Sequence, residues 1–264
     1  MKHTFKLMML LAALFSFASC SKNEDIKPEQ EPEKVLVGEK TTASGIIVSL
    51  WADNKDITVA WNKLYVSLKT ADGASINNAA ISYKPVMTMM SMSHSSPAEQ
   101  PVYNTQVHLY EGAAVFSMPS GEMGSWALTV TVDKESVLFD VNIKAAPPGN
   151  KHTGTFTGTD GLSYSVSLIQ PSAPKTGMND IQILINKRQD MMNFPPAEDL
   201  SVELTPEMPS MGHGSPNNVN PVHTGKGHYS GKVNFTMTGD WRLHFKLKRG
   251  NTVIVEDATL DLLF

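Results

Sequence analysis

The chain has 264 residues, with 22 basic and 26 acidic side chains and a formal net charge of −4 at neutral pH. An acidic chain without clustered lysine and arginine is poorly suited to nucleic acid, because binding to the phosphate backbone depends on such clusters. Cys20 is the only cysteine, so the chain cannot form an internal disulfide or a zinc site built on several thiols.

The first 20 residues, MKHTFKLMMLLAALFSFASC, have the features of a secretory signal. Lys2 and Lys6 precede an apolar run from Leu7 to Ala18 that is too short to span a bilayer. The ending FASC resembles a lipobox, which predicts a signal peptide at residues 1–19 and acylation of Cys20. Cleavage would remove two basic side chains and bring the net charge to about −6.

Residues 20–35 are charged and nearly free of apolar side chains, so they cannot bury enough surface to fold. We expect them to form a flexible tether from the lipid anchor. Ser21 is not the aspartate that favours inner-membrane retention in many Gram-negative lipoproteins, and the acidic run resembles the export signal of some surface lipoproteins. The sequence therefore predicts an outer-membrane lipoprotein, on either face of that membrane.

An internal repeat organises the remainder of the chain. MMSMSHSSP aligns with MPSMGHGSP at an offset of 119 residues, and Trp126 matches Trp241 after a short insertion in the first copy. Pro147, Pro148 and Gly149 interrupt the pattern between the copies. We therefore predict one domain at 36–146 and a second at 150–264. The offset places three loop residues on three others: Met89 on Met208, Met92 on Met211 and His94 on His213.

Both copies show the period of two that is typical of half-buried strands. In WRLHFKLK, for example, Trp241, Leu243, Phe245 and Leu247 share one face and are predicted to point inward. No long stretch has the helical period. About seven short strands in each copy predict an all-β protein with two tandem immunoglobulin-like β-sandwich domains.

The two matched loops carry the residues with the most distinctive chemistry. Thioether sulfur prefers soft ions, above all Cu(I), and imidazole serves copper and zinc alike. Of the twelve methionines beyond the signal, nine fall in the two matched regions. This clustering favours copper, as Cu(I), over a metal that prefers oxygen ligands. The competing interpretation is a Pro and Gly turn whose methionines only cap the hydrophobic core.

Strand geometry suggests which side chains meet. If the strand ending at Met208 and the strand beginning near His228 are antiparallel neighbours, loop 209–227 closes one end of the sandwich. Met237 would then lie roughly 30 Å away along its strand and is predicted, with Met118, to be core. The predicted metal ligands are Met208, Met211, His213, His228, His223, Met89, Met92 and His94.

The stretch EMPSMGHGSP, followed by GHYSGKVNFTMTGDWRLHFKL, resembles the YtkA-like and FixH-like domain pattern. That pattern has an MP-x-M-x-H loop and then an aromatic strand, Met, Gly and Trp. The first copy lacks the proline and has a longer spacer before Trp126. The resemblance implies an envelope β-sandwich found beside copper transport or cytochrome oxidase assembly systems. It also implies, by matching positions, Met208, Met211 and His213 as site residues, with Met89, Met92 and His94 in the first copy.

The leading functional hypothesis is a lipid-anchored envelope protein that binds Cu(I) for copper buffering, delivery or resistance. Its expected partners are the membrane and copper transport or oxidase-assembly proteins. The alternative is a metal-free surface recognition module for glycan or protein, for which Trp51 and Trp61 are the candidate aromatic contacts. We predict no enzyme, because the sequence shows no nucleophile elbow, phosphate loop or distinctive carboxylate pair.

Overall fold

The computed structural model of the chain describes residues 34–264. The predicted signal peptide, the lipidation site Cys20 and nearly all of the predicted tether lie outside the described residues. All regular structure within 34–264 is β-strand, and accordingly no helix in that range is long and apolar enough to cross a membrane.

Eleven strands form the first half of the described chain. They are β1 (Val35–Thr41), β2 (Ile47–Ala52), β3 (Ile57–Thr58), β4 (Trp61–Lys69), β5 (Ile81–Thr88), β6 (Ser93–Ser95), β7 (Ala98–Asn104), β8 (Leu109–Val115), β9 (Ser125–Val132), β10 (Glu135–Val141) and β11 (Ile143–Lys144). A five-stranded sheet has the order β1-β2-β4-β8-β7, a four-stranded sheet has the order β10-β9-β5-β6, and β3 pairs with β11.

Nine strands form the second half. They are β12 (Thr153–Thr157), β13 (Ser163–Gln170), β14 (Gly177–Arg188), β15 (Ser201–Met208), β16 (His213–Gly214), β17 (Val219–Gly225), β18 (His228–Phe235), β19 (Asp240–Arg249) and β20 (Thr252–Leu263). The sheets have the orders β12-β13-β14-β18-β17 and β16-β15-β19-β20. Both sheets therefore repeat the connectivity of the first half, strand for strand, which is the structural counterpart of the sequence repeat.

Each half is a sandwich because alternate strand residues from its two sheets face one core. In the second sandwich, Tyr164, Ile183 and Val233 of one sheet pack with Phe245 and Leu260 of the other. A separate core occupies the first sandwich, where Leu50, Leu64 and Val66 pack with Leu128 and Phe139. The inward prediction is confirmed for Trp241, Leu243, Phe245 and Leu247, which are at most 1% exposed. The all-β prediction of two tandem sandwiches is confirmed.

The five-stranded sheets of the two sandwiches face each other across a cleft of about 970 Å³. The cleft is lined by Leu184 of the second sandwich and Ala113 of the first, and each is only 1% exposed. The residues next to them in the chain belong to the two hydrophobic cores. One carboxylate forms hydrogen bonds with both sandwiches. Glu99 accepts hydrogen bonds from Trp61 Nε1 at 2.6 Å in its own sandwich and from His228 Nε2 at 2.5 Å in the other.

These hydrogen bonds of Glu99 predict that the stability of the fold decreases at acid pH. Burial alone raises the pKa of Glu99, but the hydrogen bonds from His228 and Trp61 outweigh it and hold that pKa below the usual value. A carboxyl with a depressed folded-state pKa stabilises the fold at pH values above its unfolded pKa, about 4.3, and loses that contribution as the pH falls toward the folded value. We expect the thermal midpoint of the wild-type protein to fall more steeply below about pH 5 than that of Glu99→Gln, measured by circular dichroism. Parallel pH profiles for the two proteins would contradict this.

Candidate metal centre

The Met208–His213 loop joins β15 to β16 at one end of the second sandwich. Met208 and His213 are partners in the strand register, so the chain turns back within four residues. The amides of Met211 and Gly212 both donate to the Met208 carbonyl, at 3.1 and 2.9 Å. Gly212 has a φ of 63°, a conformation that glycine adopts without strain. The local sequence therefore closes a tight and well-bonded turn.

Asp240, at the start of β19, fixes the same turn from the side. Its carboxylate accepts hydrogen bonds from the Ser210 amide at 3.1 Å and from the Ser210 hydroxyl. The Ser210 hydroxyl is the main reason that the pKa of Asp240 lies below its usual value. The acid therefore acts as a positioning group that binds the loop backbone.

The His213 ring is oriented by its neighbours. Nδ1 lies 2.9 Å from the Gly214 carbonyl, and since a carbonyl only accepts, Nδ1 carries the hydrogen. When the ring is neutral, Nε2 then holds a lone pair, and it has no hydrogen-bond partner among residues 34–264. The ring stands edge-on to the buried Trp241, with centroids 6.0 Å apart. An imidazole whose other nitrogen donates to a backbone carbonyl is a typical metal ligand.

Three methionines lie on the loop of this histidine or next to the tryptophan that its ring contacts. Met208 is 4% exposed and its terminal methyl packs beneath Gly239, whereas Met211 is 61% exposed on the outside of the turn. Met237 is 41% exposed, and its carbonyl accepts a hydrogen bond from Trp241 Nε1 at 2.9 Å. The prediction that Met237 belongs to the core is wrong. Strand β18 ends at Phe235, so Met237 falls in the connection that crosses to β19 beside Trp241.

The structure separates His228 and His223 from the Met208–His213 loop. Strand β15 pairs with β16 and β19, whereas β18 belongs to the opposite sheet. Phe235, at the far end of β18, packs on Trp241 at 5.2 Å, so His228 begins that strand roughly 23 Å away at about 3.3 Å per residue. The prediction that these histidines meet the loop is therefore wrong, because it assumed that β15 and β18 were neighbours.

Both histidines also have other contacts. His228 Nε2 binds Glu99, and its Nδ1 lies 3.4 Å from the Gln182 side-chain nitrogen. His223 packs against Tyr229, and its Nε2 accepts from the Gly227 amide at 3.4 Å. His228 lines the cleft between the sandwiches, whereas His223 lies on the other face of the sheet beside the core residue Tyr229.

The first sandwich contains the same arrangement around His94. His94 Nδ1 lies 2.9 Å from the Ser95 carbonyl, its ring stands edge-on to Trp126 at 5.5 Å, and Trp126 Nε1 donates to the Met118 carbonyl at 2.9 Å. His94 pairs in the register with Met87. The buried Met87, and not Met89, is therefore the structural counterpart of Met208, because the first loop is longer than the second.

The extra residues of the first loop place more sulfur at the surface. Met89 is half-buried, Met92 is 49% exposed and Met90 is fully exposed. Met118 is partly buried and packs against the core, as predicted for a core-facing position. The first loop thus offers a more open set of thioethers than the second.

These donor sets decide which metals the loops suit. Within the described part of the chain, no three histidine, cysteine or acidic side chains come together. Each loop instead combines one imidazole with an open Nε2 and several thioethers. Soft monovalent ions, Cu(I) and Ag(I), prefer this combination.

Gly239 leaves the space that the Met208 side chain occupies. A Cβ atom at position 239 would lie 2.1 Å from Met208 Cε, and φ is 142°. We expect Gly239→Ala to displace the Met208 thioether and to cost about 1–3 kcal/mol in unfolding free energy. Gly121 has a φ of 151° with nothing within 4 Å of such an atom, so Gly121→Ala controls for backbone strain. Urea unfolding should show the larger loss for Gly239→Ala; equal losses would mean that contact with Met208 is unimportant.

Comparisons with solved structures find an adhesin and an S-layer protein. The chain is 13% identical to the Escherichia coli adhesin FdeC over 85% of its own length and 66% of that chain, with a TM-score of 0.27. It is 14% identical to domains 5–6 of the S-layer protein SbsC, over 88% of its own length and 99% of that chain, with a TM-score of 0.28. Similarity at this level supports no argument about function.

No curated protein sequence matches the chain. A family model does: the YtkA-like family matches residues 161–246. This range contains the Met208–His213 loop, Met237 and Trp241, which are the parts of the site in the second sandwich. Residues 161–246, within the second sandwich, are therefore similar to the YtkA-like domains.

Proposed function

We propose that the protein is a lipid-anchored component of the cell envelope that binds Cu(I) through its Met and His loops and buffers, delivers or detoxifies copper. The observation that carries the proposal is the repeated geometry of His213 and His94. In each sandwich the imidazole Nδ1 lies 2.9 Å from a backbone carbonyl and the ring stands edge-on to a buried tryptophan, on a loop that carries methionines. The repeat of this ring orientation in both sandwiches supports the proposal.

The proposed anchoring and location rest on the sequence alone. Acylation at Cys20 would attach the chain to the outer membrane, and residues 20–35 would let the sandwiches reach a copper transport or oxidase-assembly protein. Methionine and histidine suit such a compartment, because thioethers bind soft metals without a thiol that could oxidise to a disulfide.

The experiment is a titration of residues 20–264 carrying Cys20→Ser, so that neither a thiol nor an acyl chain contributes. Cu(I) is titrated without oxygen against a chromophoric competitor, with Ag(I) as a redox-inert substitute and zinc as the counter-example. We expect two bound monovalent ions per chain and no comparable binding of zinc. The Met208→Leu/Met211→Leu/His213→Ala variant should lose one of the two ions, while His223→Ala should retain both. Equal Cu(I) affinity in the triple variant and the wild type would end the proposal.

The recognition module remains the second candidate because of Trp61. This side chain is partly exposed and lines the cleft between the sandwiches with the amides Asn62, Gln100 and Gln182, a combination that could contact a saccharide. A glycan array separates the two candidates. Hits that disappear in Trp61→Ala but persist in the triple loop variant would favour recognition over metal binding.

A further inference from the structure

One turn of the second sandwich contacts the loop of the first sandwich that contains Met89, Met92 and His94. The connection between β14 and β15 contains Met191 and Met192, and the Met191 carbonyl accepts a hydrogen bond from the Ser95 amide at 2.8 Å. Ser95 directly follows His94 and is 3% exposed. The backbone of Met191 therefore lies alongside strand β6 of the first sandwich, next to the histidine that we propose as a ligand.

This turn is held in one conformation by its own side chains. The Asp190 carboxylate accepts from the Met192 amide at 2.7 Å and from Asn193 Nδ2 at 2.6 Å, and the Gln189 amide donates to the Asn193 carbonyl at 3.0 Å. The two methionines are consequently presented by an ordered turn, which lowers the entropy cost of recruiting them to a ligand.

The sulfur available at this place exceeds what packing requires. Met191 is 39% exposed, beside a loop in which Met90 and Met92 are also exposed. Met191, from the second sandwich, thus adds an exposed methionine next to a loop of the first sandwich that already carries two, although thioethers gain little from contact with water. The second loop lacks such a neighbour: Gly214, the counterpart of Ser95, is exposed and forms no hydrogen bond with the first sandwich among the described residues.

We infer that the Met191–Met192 turn of the second sandwich supplies a thioether to the soft-metal site of the first, which makes that site an interdomain one. The inference rests on the proposed function, since it assigns a further ligand to one of its two loops. The ligand class is a soft monovalent cation, Cu(I) or Ag(I). The two sites of the chain then differ in kind. One lies within the second sandwich, and the other binds its ion only while the two sandwiches are packed together.

The test uses residues 20–264 with Cys20→Ser and with the second-domain loop disabled by Met208→Leu/Met211→Leu/His213→Ala, so that the remaining ion reports the first-domain site. Met191→Leu/Met192→Leu is added to this background. Leucine keeps a similar volume and apolar character, so the fold should persist. We expect Cu(I) affinity to fall about tenfold or more, and the sulfur coordination number from copper X-ray absorption to decrease. Met178→Leu, an exposed methionine on β14, should change neither quantity.

An unchanged affinity and sulfur number in the Met191→Leu/Met192→Leu protein would overturn the inference. The same double variant in a chain with an intact second loop should leave the second-domain ion unaffected. Binding of that ion supports the proposed function whatever the outcome for the turn. A wild-type chain that binds no Cu(I) or Ag(I) would overturn both proposals together.

Discussion

Met237→Leu is expected to weaken Cu(I) and Ag(I) binding in the second sandwich by about 10- to 100-fold. The reason is that Met237 lies beside Trp241, with its carbonyl bound to the indole nitrogen and its side chain 41% exposed. Leucine keeps the apolar contact and removes only the sulfur donor. Competitive titration at fixed chelator concentration measures the change.

His228→Ala is the matched comparison for this prediction. It removes an imidazole that binds Glu99 and that lies at the start of β18, at the opposite end of that strand from Phe235. We expect its Cu(I) affinity to equal that of the wild type, while its thermal midpoint falls. A loss of Cu(I) affinity in His228→Ala without a loss in Met237→Leu would contradict this prediction. It would instead support the sequence-based expectation that His228 is a ligand beside the Met208–His213 loop.

Trp241→Ala is expected to lower the free energy of unfolding by about 3–5 kcal/mol. The indole is 1% exposed, packs against Phe235 with ring centroids 5.2 Å apart, and donates to the Met237 carbonyl. Truncation would leave a large cavity and an unpaired carbonyl, and it would also remove the ring against which His213 is oriented. Chemical unfolding measures the stability, and Ag(I) titration below the unfolding transition measures the site.

Trp51→Ala provides the control for that prediction. Trp51 is only partly buried, on strand β2, and its Nε1 donates to Ser67 at 3.1 Å. Its loss should cost less than that of Trp241 and should leave both ions bound. A cost for Trp241→Ala below that of Trp51→Ala would contradict the central position that the structure assigns to this indole.

The fold was predictable from the sequence where the strands alternate regularly. The inward series from Trp241 to Leu247 identified β19, and the repeat identified the relation between the two sandwiches. Strand β20 is not evident from the sequence because its alternation is broken. Ile254 and Val255 are both buried, and the inward phase resumes at Ala258 after register shifts opposite Leu247. A bulge of this kind changes the phase of the pattern, so a period of two does not reveal the strand.

The site was predictable only for its local part. Met208, Met211 and His213 lie on one turn, so sequence spacing alone brings them together. The placement of His228 and Met237 depended on which strands are neighbours, and that is a property of the sheet topology and not of spacing. The repeat did carry a usable signal: Met118 and Met237 precede Trp126 and Trp241 in the same order in both copies. Met89 was assigned as the counterpart of Met208 in place of Met87, because a constant offset misaligns two loops that differ in length.

Under the proposed function, the two loops would give the chain metal sites of unequal character. The second is compact, with a buried Met208 and an exposed Met211, whereas the first has a longer and more exposed set of methionines and a neighbouring turn from the other sandwich. Unequal sites suit a protein that accepts a soft ion at one position and holds it more firmly at another. The carboxylate of Glu99, which joins the sandwiches, would then also maintain the packing on which the interdomain site depends.

The most direct test of the account is a crystal structure of residues 20–264, with Cys20→Ser, grown with Ag(I) and recorded for anomalous scattering. The account predicts one silver peak in bonding distance of His213 Nε2 with Met211 and Met237 around it, and a second beside His94 Nε2 with a thioether from the Met191–Met192 turn. Silver bound only at the surface or beside His228, with no peak at His213 or His94, would contradict it.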